Sequence, residues 1–249
     1  MKKFDFYLVP SCEGALGKNK GCEKAPAFIS SLLGLKSEEF SLTKGDIEEQ
    51  NSQILGQALK IFKEKKIPFF IGGTHDITYS LFRAFAQTHK NPAILIFDAH
   101  ADSDEGTSVP SHEDFVRALV KNKIVSPEKI MIVGLRKTYP NEDEFLTTTP
   151  VRIILSDTVN SSISETVKMI RKFIEGNNLY VSFDIDCLSE KIMQATHYAP
   201  IGGMSENETK LLLREIIPFT EAVDLVEFNP EKIKLKEDKL VERLFSEFV

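Results

Sequence analysis

Cysteine is scarce in this chain, with only Cys12, Cys22 and Cys187 among 249 residues. The number is odd and no two are spaced as zinc ligands, which argues against a disulfide framework and a thiolate zinc site. Long apolar runs are missing as well, since nothing approaches the roughly 20 residues that span a bilayer. The first apolar run is broken at Asp5, so no signal peptide is expected and the expected compartment is the cytoplasm. Positive charge is not in excess: 31 Lys and Arg stand against 37 Asp and Glu, for a net charge of −6. That balance argues against nucleic acid or an anionic membrane as partner and suits a cationic small molecule. Linkers, low-complexity tracts and internal repeats are absent too, and 42% apolar content can bury one full core. The expectation is a single domain over residues 1–249.

What the chain does have is alternation. β-rich runs at Phe4–Val9, Ile67–Ile71, Ala93–Phe97, Ile130–Gly134, Val151–Leu155, Leu179–Phe183 and Ala222–Phe228 are separated by amphipathic segments. Helical periodicity falls at 26–34, 46–66, 77–89, 112–123, 162–175, 205–217 and 237–248. Such alternation predicts an α/β fold with a mainly parallel sheet. Ala93-Ile94-Leu95-Ile96-Phe97 is apolar on both faces, as a central strand covered on each side must be. An open three-layer αβα sandwich and a closed eight-stranded barrel both accommodate this length. The chain has no early His-x-His of the kind barrel hydrolases use, and the open sheet is favoured.

Three acidic and histidine clusters stand at the ends of strand-like runs: Gly72-Gly73-Thr74-His75-Asp76, Asp98-Ala99-His100-Ala101-Asp102 and Ser182-Phe183-Asp184-Ile185-Asp186. Residues two apart on extended backbone share a side, so Asp98, His100 and Asp102 can line one wall, and Asp184 and Asp186 another. Gly72 and Gly73 let the backbone before His75 pass close to a packed centre. Asp98, Asp102, Asp184 and Asp186 carry four negative charges that burial without a counter-charge would penalise heavily, and two divalent cations would cancel them. Imidazole and carboxylate without thiolate suit Mn²⁺ or a similar ion better than structural zinc. A lone Asp-x-Asp is usually a turn or cap, but three such clusters in sequence make a binuclear centre.

These clusters resemble the signature of the ureohydrolases, the arginase and agmatinase family: Gly-Gly-x-His, Asp-Ala-His-x-Asp and Ser-x-Asp-x-Asp. Ile132-Val133-Gly134-Leu135-Arg136 is similar to the family's strand ending in Gly-x-Arg, and Val223–Pro230 to its late Asp-x-x-Glu-x-Asn-Pro segment. The likeness runs from about residue 67 to 230, with a fainter trace at Gly21–Phe28. It implies the three-layer fold of arginases and deacetylases, two Mn²⁺ ions, and hydrolysis of a guanidino compound to urea and an amine by a metal-bridging hydroxide. It further implies that Asp98 and Asp184 bridge the ions, that His75 and Asp102 complete one shell, and that His100 and Asp186 complete the other. Asp102 would take and return the proton. Glu227 would grip the guanidinium in a bidentate pair, and His112, read here as opening a helix, would transfer protons or touch substrate. The family commonly assembles as trimers or hexamers, so a homo-oligomer is implied as well.

The chain departs from the pattern in places. Thr74 stands where an acid or amide is usual and Asp76 where Ser is, which adds charge beside His75. His197, Tyr198 and Ala199 replace Gly, Thr and Pro in a rim loop and should narrow or re-aim the pocket. Cys187, beside Asp186, reads as a packing residue rather than a nucleophile. Asp104 and Glu105 lie where a substrate's tail would sit and favour a cationic amine over an α-carboxylate, hence agmatine over arginine. Two alternatives stay open at this point: a formiminoglutamase-type amidine or amide hydrolase, and a metal-binding family member without turnover.

Overall fold

The computed structural model describes residues 2–64, 66–106 and 108–248. Eight strands form one sheet: β1 (Asp5–Val9), β2 (Ser37–Glu39), β3 (Pro68–Gly72), β4 (Pro92–Phe97), β5 (Ile130–Leu135), β6 (Arg152–Leu155), β7 (Asn178–Asp184) and β8 (Thr220–Val226). Every strand pair is parallel, in the order β2-β1-β3-β8-β7-β4-β5-β6. The edges β2 and β6 do not pair with each other, so the sheet is open and the barrel is excluded.

The strand sequences explain the layers. Side chains alternate across a strand, so each buried run feeds two cores. Leu95, Phe97, Val181, Phe183, Val223 and Leu225 join one core with α1 (Ala25–Leu33), α6 (Ser156–Ser161), α7 (Ile163–Ile174), α8 (Glu206–Ile216) and α9 (Glu237–Phe245). Ile94, Ile96, Ile132, Tyr180 and Ala222 join the other with α2 (Ile47–Lys63), α3 (Ile77–Thr88), α4 (Phe115–Lys121) and α5 (Pro140–Thr148). Helices on both faces of an all-parallel sheet make the expected three-layer sandwich. Helix starts carry their own signals: the Asp46 carboxylate accepts the Glu49 N–H at 3.0 Å, and Ser205 and Glu208 form a capping box.

Some elements differ from expectation. β2 is an exposed three-residue edge with no apolar alternation to announce it. α5 buries only Glu142 and Phe145, and α6 only Ser156 and Val159, too little for a readable period. The helix expected from residue 112 begins at Phe115; before it, the Asp114 carboxylate accepts from Ser111 N and Oγ, each at 2.6 Å, and holds residues 111–114 in a turn. The helix expected over 46–66 ends at Lys63, and Lys65 lies outside the described residues.

One consequence of the strand order matters most. β3, β8, β7 and β4 are neighbours at the centre of the sheet although they are far apart in sequence. Their carboxyl ends lead into His75, Glu227, Asp184 and Asp98 respectively. Ligand sites in open parallel sheets form beyond these ends, where the strand order reverses.

Candidate metal centre

The backbone at these strand ends is shaped by close approach. A Cβ on Gly73 would lie 1.9 Å from the Ser11 carbonyl oxygen, so only glycine fits there. Glu227 N–H donates to the Gly73 carbonyl at 2.7 Å and joins the β3 and β8 ends. Glu227 itself is left-handed, with φ 64°, and Asp102 likewise with φ 45°. Non-glycine residues in this region cost about 1–3 kcal/mol each and persist where the surroundings fix them. Asp102 also corrects an expectation: the chain is not extended beyond Asp98, since β4 ends at Phe97. Asp98, His100 and Asp102 still converge, through a turn in which Asp98 Oδ1 accepts His100 N–H at 2.7 Å.

Five of the six expected ligands, His75, Asp98, His100, Asp184 and Asp186, fall into groups able to hold a metal ion, and Asp102 lies against His75 outside both. His75 Nδ1 lies 2.9 Å from Asp102 Oδ2, 3.1 Å from Asp98 Oδ2 and 3.3 Å from Asp184 Oδ2. His100 Nδ1 lies 2.8 Å from Asp186 Oδ2 and 3.6 Å from Asp98 Oδ1. Among the described residues, His75, Asp98 and Asp184 form one group able to hold a metal ion, and Asp98, His100 and Asp186 a second. Asp98 serves both. Its ligand atoms and those of its partners lie within 4.8 Å of one another in each group.

The electrostatics are those of a centre short of positive charge. Burial drives Asp184 well above the usual carboxylate range, with the charges of Asp186 and Asp98 adding to it. Burial and the Asp98 charge push Asp102 up to about 7. For His100 burial works against charge, but Asp186 and Asp98 outweigh it and push the imidazole up to about 12. Divalent cations would relieve all three shifts.

The donors fit such ions in a further respect. His75 Nδ1 and Asp98 Oδ2 are buried without a hydrogen-bond partner, although carboxylate oxygens crowd around them. The other side of the His75 ring is fully engaged. Ser182 Oγ donates to Asp224 Oδ1 at 2.6 Å, so it accepts from His75 Nε2 at 2.9 Å. Asp224, buried completely, also takes Tyr180 OH at 2.6 Å and Thr78 Oγ1 at 2.9 Å. This network keeps a proton on Nε2 and turns Nδ1 toward the carboxylates, so that giving up the Nδ1 proton leaves the tautomer a metal requires. Ser182 and Asp224 stand in motifs of the sequence without a role being legible for either, and Thr78 and Tyr180 give no signal before the strands are paired.

A cavity of about 500 Å³ opens above the cluster, lined by Asp102, Asp104, His112, Glu142, His197 and Glu227 among others. Glu227 is 4% exposed. Its Oε1 accepts Thr74 Oγ1 and His75 N–H, each at 2.8 Å, and its Oε2 accepts Asn19 Nδ2 at 2.7 Å. Burial opposes its charge, but the His112 imidazole 3.4 Å away and these hydrogen bonds prevail and bring it down to about 2. A carboxylate offers about four acceptor positions, and three are taken here, so the expected bidentate fork is reduced to one position on Oε2. Thr74 thus supports Glu227, a role its place beside His75 did not reveal. Asn19, 208 residues from Glu227 in sequence, was not foreseen at all.

The remaining expectations divide. Asp104 and His197 line the cavity, whereas Glu105 is exposed and does not. Tyr198 reaches over the rim, its ring centroid 5.8 Å from that of His100. Asp76 does not bring the expected charge: it is wedged against Gly14, and burial pushes it up to about 8. Burial raises the Cys187 thiol well above its ordinary range, in keeping with a packing role. Arg136 donates to the carbonyls of Asp186 at 2.6 Å and Leu188 at 3.0 Å, pinning the turn after β7. Glu142 is an unforeseen lining carboxylate, held by Ser103 N–H at 3.1 Å and Tyr139 N–H at 3.0 Å.

Comparison with known proteins agrees with this geometry. The Arginase family model matches residues 18–248. Agmatinases of Photorhabdus laumondii and Neisseria meningitidis serogroup C are each 27% identical over 188 residues, 75% of this chain and 59% of theirs. The chain therefore spans less than two thirds of the length of these curated relatives. Among solved structures, arginase from Bacillus subtilis superposes with a TM-score of 0.87 at 18% identity, over 99% of this chain and 98% of that one. Formimidoylglutamase from the same species gives 0.89 at 19% identity, over 99% and 86%. The agmatine ureohydrolase of Thermoplasma volcanium gives 0.86 at 20%, over 99% and 88%. These likenesses establish the shared fold, and the family match covers most of the sequence: the chain belongs to the arginase family.

Proposed function

We propose that this protein hydrolyses a guanidino compound with a cationic tail, agmatine-like rather than arginine-like, to urea and an amine. One observation carries the reading: two three-donor groups sharing Asp98 lie at the floor of a cavity whose wall presents the buried, ionised Glu227. His75, Asp98 and Asp184 in one group, and Asp98, His100 and Asp186 in the other, would hold two divalent ions, Mn²⁺ by the character of the donors, which would supply a water acidic enough to act as nucleophile at neutral pH.

The chain's own residues do the rest. Glu227 Oε2 accepts one charge-assisted hydrogen bond from the guanidinium and turns its carbon toward the floor of the cavity. Asp102, on the cavity wall, accepts the proton of the attacking water and returns it to nitrogen. His112 is held at Nδ1 by Glu227 and has a buried Nε2 without a partner, which suits it to protonate the departing amine. Water adds to the guanidinium carbon, the bond from that carbon to the substituted nitrogen breaks, and urea and an alkylammonium leave. Asp104 and Glu142 line the cavity, while its Lys18 is paired with Glu113. A substrate α-carboxylate would meet acids there, and an ammonium would be favoured.

The test is urea release from agmatine, arginine and guanidinobutyrate by the Mn²⁺-loaded protein. Agmatine should give the highest kcat/KM, and no urea from any of the three would overturn the reading.

A further inference from the structure

Two thiols that the proposed reaction does not use sit behind Glu227. Cys12 is half-buried and Cys22 fully buried. Their segments converge on one spot, because a Cβ on Gly73 would lie 3.0 Å from the Ser11 carbonyl carbon and 3.4 Å from that of Cys22. The neighbouring Cys12 thiol, with burial, raises the Cys22 thiol well above its ordinary range, so the two side chains face each other. Among the described residues neither group of metal donors includes a cysteine, so the pair is not a third metal site.

The loop between the two thiols is part of the site wall. The Gly14 carbonyl accepts His112 N–H at 3.1 Å, and Lys18 pairs with Glu113 at the rim. Asn19 Nδ2 donates to Glu227 twice, to Oε2 at 2.7 Å and to the backbone carbonyl at 3.1 Å. Midway lies a left-handed turn, Leu16 at φ 51° and Gly17 at φ 77°, with Leu16 55% exposed. The Leu16 side chain at that tip faces solvent, so the turn is held by hydrogen bonds, among them Lys18 N–H to the Ala15 carbonyl at 2.8 Å, and by no large apolar side chain of its own.

We propose that Cys12 and Cys22 are a reversible oxidation site whose closure to a disulfide moves Asn19 and loosens the hold on Glu227. The oxidant is a small-molecule disulfide. The half-buried Cys12 sulfur attacks it, forms a mixed disulfide and expels one thiol, which carries away the Cys12 proton. Cys22 then attacks the Cys12 sulfur, the mixed disulfide breaks, and a second thiol leaves with the Cys22 proton. Two protein thiols are oxidised and one small disulfide is reduced to two thiols. Bonded sulfurs lie about 2.05 Å apart, closer than any hydrogen-bonded pair, so the bond draws the two segments together. A shift of about 1 Å in a substrate-positioning group can lower a rate about a hundredfold.

The experiment equilibrates the full chain with graded ratios of reduced to oxidised glutathione and reads three quantities. Intact mass should fall by two hydrogens, and peptide mapping should place the crosslink at Cys12–Cys22 with Cys187 still free. Hydrogen exchange should quicken at the amides of His75 and Glu227, and urea release should drop by at least about tenfold and return on reduction. Cys12→Ser should keep both turnover and exchange unchanged across the same ratios, and Cys187→Ser should behave as the parent. Three titratable thiols at every ratio, or a crosslink to Cys187, would refute the oxidation site. A Cys12–Cys22 bond that leaves exchange at His75 and Glu227 unchanged would refute its coupling to the site. Mass and exchange do not depend on turnover, so failure of the ureohydrolase reading and failure of this one are separable.

Discussion

Replacing Asp224 by Asn tests how the chain sets the protonation of His75. The wild-type carboxylate accepts three hydroxyl donors, from Ser182, Tyr180 and Thr78. An amide offers only one oxygen. If its nitrogen takes the Oδ2 position, two hydroxyls lose their acceptor. If it takes the Oδ1 position only Ser182 is affected, so this arrangement costs less. Ser182 must then accept from the amide and turn its own proton toward His75 Nε2. The imidazole answers by carrying its proton on Nδ1, which removes the lone pair pointing at Asp98, Asp102 and Asp184. Loss of such a supporting partner typically weakens metal affinity 10–100-fold, or about 1.4–2.8 kcal/mol. Calorimetric Mn²⁺ titration of Asp224→Asn should therefore show one of two sites weakened by that factor, while the site built on His100 keeps its affinity. Ser182→Ala should weaken the same site, because His75 Nε2 then loses its acceptor. Equal affinities at both sites in wild type and Asp224→Asn, with the variant folded, would refute the relay.

Three further outcomes are expected. Asp98→Asn should abolish binding of both ions, since Asp98 belongs to both donor groups, whereas His100→Ala should lose one; metal content after dialysis distinguishes them. Glu227→Gln should lower kcat/KM for agmatine about a hundredfold with metal content unchanged. The same variant carries a pH signature. Glu227 is depressed in the folded state from 4.5 to about 2, so its charge stabilises the fold above its unfolded value, and that contribution disappears as pH falls toward 2. Acid unfolding of the metal-free protein should accordingly be less steep between those values in Glu227→Gln than in wild type, and identical slopes would count against the buried charge. Chelation should lower stability by about 2.7 kcal/mol per site for an ion present at a hundred times its Kd. That corresponds to a fall of about 5–10 °C in Tm per site for a chain of this length, and a Tm insensitive to chelator would contradict the buried centre.

The metal ligands were legible because each sits in a short chemical word directly after an apolar run, and a run that reads as a strand also says where it ends. Residues that act through partners were not. Asn19 and Thr74 support Glu227 across separations of 208 and 153 residues. Asp224 reaches His75 only through Ser182, on a strand that is its neighbour solely because β8 pairs with β7. The strand order, not the spacing along the chain, puts these groups within reach. Local assumptions failed where the backbone leaves regular structure. Asp102 turns left-handed instead of extending, and His112 sits in a turn fixed by Asp114 instead of opening a helix. Glu142 escaped notice because α5 buries too little apolar surface to show a period.

The two kinds of residue divide the centre's energetics between them. His75, Asp98, Asp102, Asp184 and Asp186 are all buried, and the metal-free arrangement sets carboxylate against carboxylate. Residues that bind no ion hold this arrangement in place: Ser182 and Asp224 behind one ligand, Arg136 on the turn after β7, and Glu227 bonded to the His75 backbone. Because these contacts tie β3, β7, β8 and the end of β5 to donors that follow β3, β4 and β7, unfolding any central strand disturbs the whole donor set, and an ion bound to that set stabilises all of β3, β8, β7 and β4 together. Hydrogen exchange should then slow across all four strands when Mn²⁺ is added, and protection confined to β3 and β4 would mean that the ions hold only the loops that carry them.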